Sequence, residues 1–239
     1  MSLMRALLLM AALWSGVRAE RERLAGRYPA AARHCVRGLY LLRRSRQFQR
    51  TLSIGLLNTL GMVHKYEGHF AQAARAYAIA VRLAQRHMHP EHIVFATLDH
   101  NLAGLEHARG NYVEAEPLAR RGLDLRERVL GPRHPDVARD AAALAAILDG
   151  QSRHREAEEL HRRALAIFSS RGRTERREVG YVLANLAACL HLAGRSDEAE
   201  PLARKALDCQ IRALGPRHPD VFSTQGNLAM IDAHLARQR

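Results

Sequence analysis

Small residues return along this chain with a period of 42 residues. One register carries Ala19, Gly61, Ala103, Ala145, Ala187 and Ala229. A second, twelve residues later, carries Ala31, Ala73, Ala115, Ala157 and Ala199. A third, a further seven residues on, carries Gly38, Ala80, Gly122, Ala164 and Ala206. Larger apolar residues such as Leu102, Leu105, Leu118, Leu186, Leu202 and Leu207 fall between these registers. The pattern predicts two helices per period, A and B, that approach closely through the small residues and fill the gaps with leucine. Gly26, Gly68, Gly110, Ser152 and Gly194 share one phase and predict the turn between A and B. A fixed period of this size predicts an array of stacked units, each burying its apolar face against its neighbours.

The register is also visible as motifs. Asn111-Tyr-Val-Glu-Ala-Glu-Pro117 lines up with Arg195-Ser-Asp-Glu-Ala-Glu-Pro201, and Arg153-His-Arg-Glu-Ala-Glu-Glu159 lies between them. Asn-Leu-Ala recurs at 101–103, 185–187 and 227–229. The linker Gly-Pro-Arg-His-Pro-Asp-Val occupies 131–137 and 215–221. Within it, Gly131 and Gly215 are expected to take the left-handed conformation that ends helix B. Pro135 and Pro219 suit the first turn of the next helix A, and Asp136 and Asp220 suit its positive end. His134 and His218 repeat with the linker and are read as structural.

These motifs resemble the tetratricopeptide repeat family, and in particular its kinesin light chain-like subfamily, whose signatures are Asn-Leu-Ala, Glu-Ala-Glu-Pro-Leu and Leu-Gly-Pro-x-His-Pro-Asp. The resemblance covers about 15–239 and is strongest over 90–239. It implies an all-α fold, a right-handed α-solenoid of stacked antiparallel helix pairs. The expected units are 6–47, 48–89, 90–131, 132–173 and 174–215, followed by a terminal helix over 216–239, with the array proper spanning 20–239. It also implies a ligand groove lined by the A helices. Carried over by register, the groove residues are Asn58, Thr59, Met62, Lys65, Tyr66, His100, Asn101, Gly104, His107, Asp149, Asn185, Ala188, His191, Asn227 and Met230. An asparagine here could pair with both the amide and the carbonyl of an extended peptide. Alternatively it caps or bridges adjacent helices. Thr59 and Ala143 interrupt the asparagine row.

Composition agrees with a helical chain: Ala, Leu, Arg and Glu dominate, and only 5% of residues are aromatic, so strands are not expected. Charge adds a second theme. The formal net charge is +13, and nearly all the cations are arginine; Lys65 and Lys205 are the two lysines. Residues 18–50 hold ten arginines against Glu20 and Glu22. Such a stretch could meet nucleic acid, an acidic protein or anionic lipid. No base-reading motif or aromatic platform accompanies it, which favours arginine on solvated helix faces.

Two stretches depart from the period. The unit at 132–173 has Ser152 for the turn glycine, and its linker shrinks to Ser169-Ser-Arg-Gly-Arg-Thr-Glu175 with Arg176 where the histidine would fall. A looser joint is expected there, one about which the array could pivot. Residues 1–19 combine an apolar run, Ala6–Trp14, with Val17-Arg18-Ala19, an acceptable cleavage pattern. They are expected to be either an export signal or, in phase with Gly26, a degenerate capping helix. Export would change the location, which is otherwise expected to be cytoplasmic. Cys35, Cys189 and Cys209 fall on core positions and do not suggest a disulfide framework. The last helix has no helix B after it. Its apolar residues Phe222, Met230, Ile231 and Leu235 are candidates for a cap or for contact with a second copy, as in a homodimer.

Candidate chemistry is sparse. No phosphate-binding glycine loop, nucleophile elbow, Cys-x-x-Cys or His-Glu-x-x-His occurs. Glu114, Glu156 and Glu198 recur at one repeat position near a helix start, which the helix dipole explains. His87, His89 and His92 form the one ligand-like cluster, yet they sit where a repeat linker belongs. No catalytic residue, metal or cofactor is therefore expected. The leading expectation is a non-catalytic scaffold binding a protein, peptide or helix in the groove. A peptide-sensing regulatory module and an anion-binding role for the 18–50 face are the alternatives.

Overall fold

The computed structural model of the protein describes residues 3–45, 49–170 and 176–238. Among the described residues all regular structure is helical, in the order α1 (Leu3–Leu24), α2 (Tyr28–Ser45), α3 (Arg50–Tyr66), α4 (Phe70–His87), α5 (Val94–Ala108), α6 (Tyr112–Leu130), α7 (Pro135–Gly150), α8 (His154–Ser169), α9 (Arg176–Leu192), α10 (Ser196–Leu214) and α11 (Pro219–Gln238). The chain forms two compact units, Met1–Asn111 and Tyr112–Arg239. The short linker 171–175, on which the expected pivot rests, lies outside the described residues.

In the first unit α1 packs on α2, α2 on α3, α3 on α4 and α4 on α5, while α1, α3 and α5 also touch in succession. The second unit repeats this scheme: α6 to α11 pack consecutively, and α7, α9 and α11 touch in succession. The odd-numbered helices are thus the A helices of the repeat and the even-numbered ones the B helices. Seams are built as the small-residue registers predict. Ala31, Ala73, Ala157 and Ala199 are fully buried, as are Ala80, Ala145, Ala164 and Ala206. Ala229 of α11 is exposed. Side chains from both helix types close each core. One such group joins Ile54, Leu57, Ala80, Ala84 and Leu98, and another joins Leu186, Leu190, Ala199, Ala203, Leu228 and Ile231.

The turns follow one backbone pattern. Gly26, Gly68, Gly110 and Gly194 have φ between 71° and 80°, and Ser152 in the same phase has φ 60°. That region crowds any side chain against the backbone, which is why glycine fills it elsewhere. Each turn closes with the same long bond, for example His69 N–H to the His64 carbonyl at 2.8 Å and Arg153 N–H to the Leu148 carbonyl at 2.9 Å. One linker glycine corrects an expectation in detail. Gly215 has φ 85° and ψ 158°, an extended mirror-image conformation rather than the left-handed helical one. It is still a conformation that essentially only glycine adopts.

α1 is a continuous helix through Leu24. It buries Ala12 and Ala19 with Cys35, Leu42 and Leu56, and leaves Leu7, Met10, Trp14 and Val17 exposed. Arg18, which stands where other units have leucine, lies 3.6 Å over the Trp14 ring. No helix among the described residues is long and apolar enough to cross a membrane.

Candidate functional site

The A helices carry the residues that the repeat register selects as groove candidates, and the structure divides them by what they already touch. In the first unit, Asn101 is buried, and its Nδ2 donates to Oδ1 of Asn58 at 2.7 Å, linking α5 to α3. The bridging alternative for asparagine therefore describes this pair. His100 and His107 are half-buried and have interactions of their own. Lys65 differs. Its ammonium has no carboxylate or hydrogen-bond partner among the described residues, and its polar contact is with the Tyr66 ring, 5.0 Å away. Burial, and secondarily the nearby Arg23, pulls its pKa below the ordinary lysine value. Tyr66 is exposed and stacks on Tyr28 with ring centroids 5.3 Å apart.

In the second unit, Asp149 is turned toward its own helix pair. Its two oxygens lie 3.1 Å from His154 Nδ1 and 3.2 Å from His161 Nε2, and His161 is fully buried. Burial works to raise the Asp149 pKa, but hydrogen bonds from His161, His154 and Cys189 outweigh it and hold the carboxyl below its usual range. The Cys189 thiol donates to the His154 carbonyl at 3.3 Å, and burial with the Asp149 charge pushes its pKa up. His191 pairs with Ser196 at 2.8 Å and meets the His234 ring edge-on. Asn185 and Asn227 remain half-buried with no side-chain hydrogen bond among the described residues. Lys65, Asn185 and Asn227 are thus among the predicted groove residues with unused polar capacity. Phe222 and Met230 of α11 are exposed, whereas Ile231 is fully buried and Leu235 packs against the core.

The linker histidines are caps. His134 Nδ1 accepts from the Asp136 N–H at 3.2 Å, and His218 does the same for Asp220. His92, one period before His134, accepts from Val94 at 3.2 Å. This accounts for His92, and His89 similarly accepts from Glu91. The rings of His89 and His92 thus serve the local backbone, in keeping with their place in the repeat linker.

Two features were missed. The first is an ion-pair ladder along the B helices of the second unit. Arg153 holds Glu156 with two bonds of 2.7 Å and reaches back to Glu116 of α6 at 2.7 Å. Arg195 repeats this, gripping Glu198 and reaching Glu158 of α8 at 2.6 Å. Two of the recurring glutamates, Glu156 and Glu198, thus serve an arginine as well as the helix dipole, and Arg153 and Arg195 hold them below the usual carboxylate range. The shared spacing of Arg and Glu was legible, but its reach across helices needed the stack. The second is a buried pair, Arg126 of α6 with Asp140 of α7, at 2.6 Å.

Within the basic stretch, Arg23 and Arg27 pair with Glu20 and Glu22. Arg43 remains without an ion pair among the described residues. With Arg82 and Arg86 it rims a depression floored by Leu39, Leu42, Leu57 and Leu83.

Comparison with known proteins agrees with this architecture. A tetratricopeptide repeat model matches residues 94–170 and 178–239. No curated protein matches the chain. Among solved structures, BtubC (BKLC) from P. vanneervenii is 23% identical with a TM-score of 0.69, covering 84% of this chain and 80% of its own. A kinesin light chain-type protein from P. anserina with nearly identical repeats is 23% identical with a TM-score of 0.63, covering 76% of this chain and 87% of its own. A Rap protein complexed with competence and sporulation factor is 13% identical with a TM-score of 0.72, covering 96% of this chain and 65% of its own. These likenesses are of fold. The chain belongs to the tetratricopeptide repeat family.

Proposed function

We propose that this protein is a non-catalytic interaction scaffold whose A helices bind an extended peptide segment of a partner protein. The observation that carries the reading is unused polar capacity on those helices. Among the described residues Lys65 has no counter-charge and the Asn185 and Asn227 amides have no partner, while other predicted groove groups such as Asn101 and Asp149 are engaged. An unpaired half-buried amide can give and take one hydrogen bond each, which suits a peptide backbone. The Rap protein of similar fold, complexed with competence and sporulation factor, lends support by analogy of fold alone. A reducing, cytoplasmic setting suits three free cysteines, two of them buried as core residues.

The test is selection of a random peptide display library on the full-length chain, followed by titration of selected peptides. Asn185→Ala should weaken binding by roughly tenfold, the loss of one or two hydrogen bonds of about 1 kcal/mol each, with helical content unchanged. Peptides that bind the Lys65→Ala, Asn185→Ala and Asn227→Ala variants as tightly as the parent would remove this reading.

A second reading rests on the depression rimmed by Arg43, Arg82 and Arg86, whose apolar floor and unpaired cations suit an amphiphilic anion. Binding of a fatty acid that falls steeply with salt, and that is lost on Arg82→Glu, would support it.

A further inference from the structure

We propose that His64, Glu67 and His69 form a binding site for a divalent transition metal of the zinc class, at the turn between α3 and α4. Their ligand atoms lie within 4.8 Å of one another. Glu67 Oε2 is 3.8 Å from His64 Nδ1 and 3.5 Å from His69 Nδ1. In a tetrahedral site with metal–ligand bonds of about 2.0–2.1 Å, ligand atoms stand about 3.4 Å apart. The three groups are therefore already near the spacing that an ion requires, and small side-chain rotations complete it. Two imidazoles and one carboxylate are a zinc-type donor set that leaves a fourth position for water or a partner's side chain.

Two observations point to a ligand here. His64 Nδ1 is buried and makes no hydrogen bond among the described residues, so a ligating atom stands idle beside the carboxylate. His69 is exposed, which gives an ion a way in.

The backbone supplies an internal comparison. The turn is fixed by bonds from Glu67 to Val63, Gly68 to Lys65 and His69 to His64, with Gly68 at φ 74°. The same long turn bond joins Arg27 to Glu22, Asn111 to Glu106, Arg153 to Leu148 and Arg195 to Leu190. Those turns carry Glu-Ala-Arg, Glu-Arg-Asn, Leu-Gln-Arg and Leu-Ala-Arg at the three positions. In this family of like turns, donor residues occupy all three only at 64, 67 and 69. The spacing i, i+3, i+5 is chelating because the glycine reverses the chain, a point that linear motif reading misses.

The test uses the tag-free, full-length chain, stripped with chelator and titrated with Zn2+ by calorimetry, and separately with Co2+ by absorption. The expected result is one ion per chain with a dissociation constant of about 10 μM or tighter. The Co2+ spectrum should lack a thiolate charge-transfer band. His69→Ala, a surface change, and His64→Ala should each weaken binding at least about tenfold, with melting in chelator unchanged for His69→Ala. No binding in that range, or affinity retained in both variants, would overturn the site. So would a thiolate band, which would place the ion instead at Asp149, His154 and Cys189, the other candidate donor group among the described residues. The peptide-display test reads a different surface residue set, so either proposal can fail alone.

Discussion

Gly61 of α3 faces the ring of Tyr77 on α4 so closely that a methyl group on Gly61 would come within 2.4 Å of the ring. Tyr77 is fully buried and cannot swing aside. Two other units hold alanine at both positions, Ala103 with Ala119 and Ala187 with Ala203. Here the seam exchanges volume between its two helices. Gly61→Ala should therefore destabilise the fold by about 1–3 kcal/mol through overpacking. In a Tyr77→Ala background the same methyl should cost almost nothing. A double-mutant cycle by urea unfolding checks the coupling, and additive costs would count against it.

Ser152 adopts φ 60° where its counterparts are glycine. Leaving that conformation to glycine relieves about 1–2 kcal/mol of strain, offset by about 0.4–1 kcal/mol of added freedom in the unfolded chain. Ser152→Gly should thus stabilise the protein by about 1 kcal/mol and raise Tm by about 2–4 °C. Gly110→Ala should do the reverse. Thermal melts followed by circular dichroism measure both.

Arg126 and Asp140 form a buried pair where the two flanking units place apolar residues, Leu98 and Val182 for the aspartate and Ala84 and Phe168 for the arginine, and where the last repeat places Thr224 and Gln210. Asp140→Val alone strands a buried guanidinium and should cost about 3–5 kcal/mol. Arg126→Leu combined with Asp140→Val should recover most of that loss. Chemical denaturation of the two variants beside the parent checks this, and a double variant as weak as the single would contradict it.

Asp149 titrates below the ordinary aspartate value of 3.8 in the folded protein. A carboxylate with a lowered folded pKa binds fewer protons folded than unfolded. Its contribution is complete above the unfolded pKa and is lost as pH falls through the folded one. Asp149→Asn should therefore be less stable than the parent at neutral pH, with the gap closing below about pH 4. Urea midpoints measured from pH 7 to pH 3 give the comparison. A gap that stays constant over this range would show that the histidine contacts do not act through charge.

The fold was legible because the small-residue registers report packing directly. Ala157 and Ala199 had to be small for helices to touch, and they are fully buried. The site was less legible. Register alone selects Asp149 and Asn101 as groove residues, yet Asp149 is drawn aside by His161, at a position held by Tyr77 in another unit, and Asn101 by Asn58, itself a register-selected residue, across the seam. The linker histidines were placed correctly as structural, but that they cap helices depends on ring orientation. The Arg126–Asp140 pair was invisible because its members lie in different units of the repeat and occur in no other.

Arg195 does to Glu158 and Glu198 what Arg153 does to Glu116 and Glu156. A segment beginning just after one turn and ending at the next therefore carries a donor for the helix behind it and an acceptor for the one ahead. Such a segment is a cassette. Copying or deleting it whole leaves every junction with a matched arginine and glutamate, while an insertion of any other length in a helix rotates the arginine off its mark. The gene can thus grow or shrink in steps of 42 codons while keeping this arginine–glutamate match.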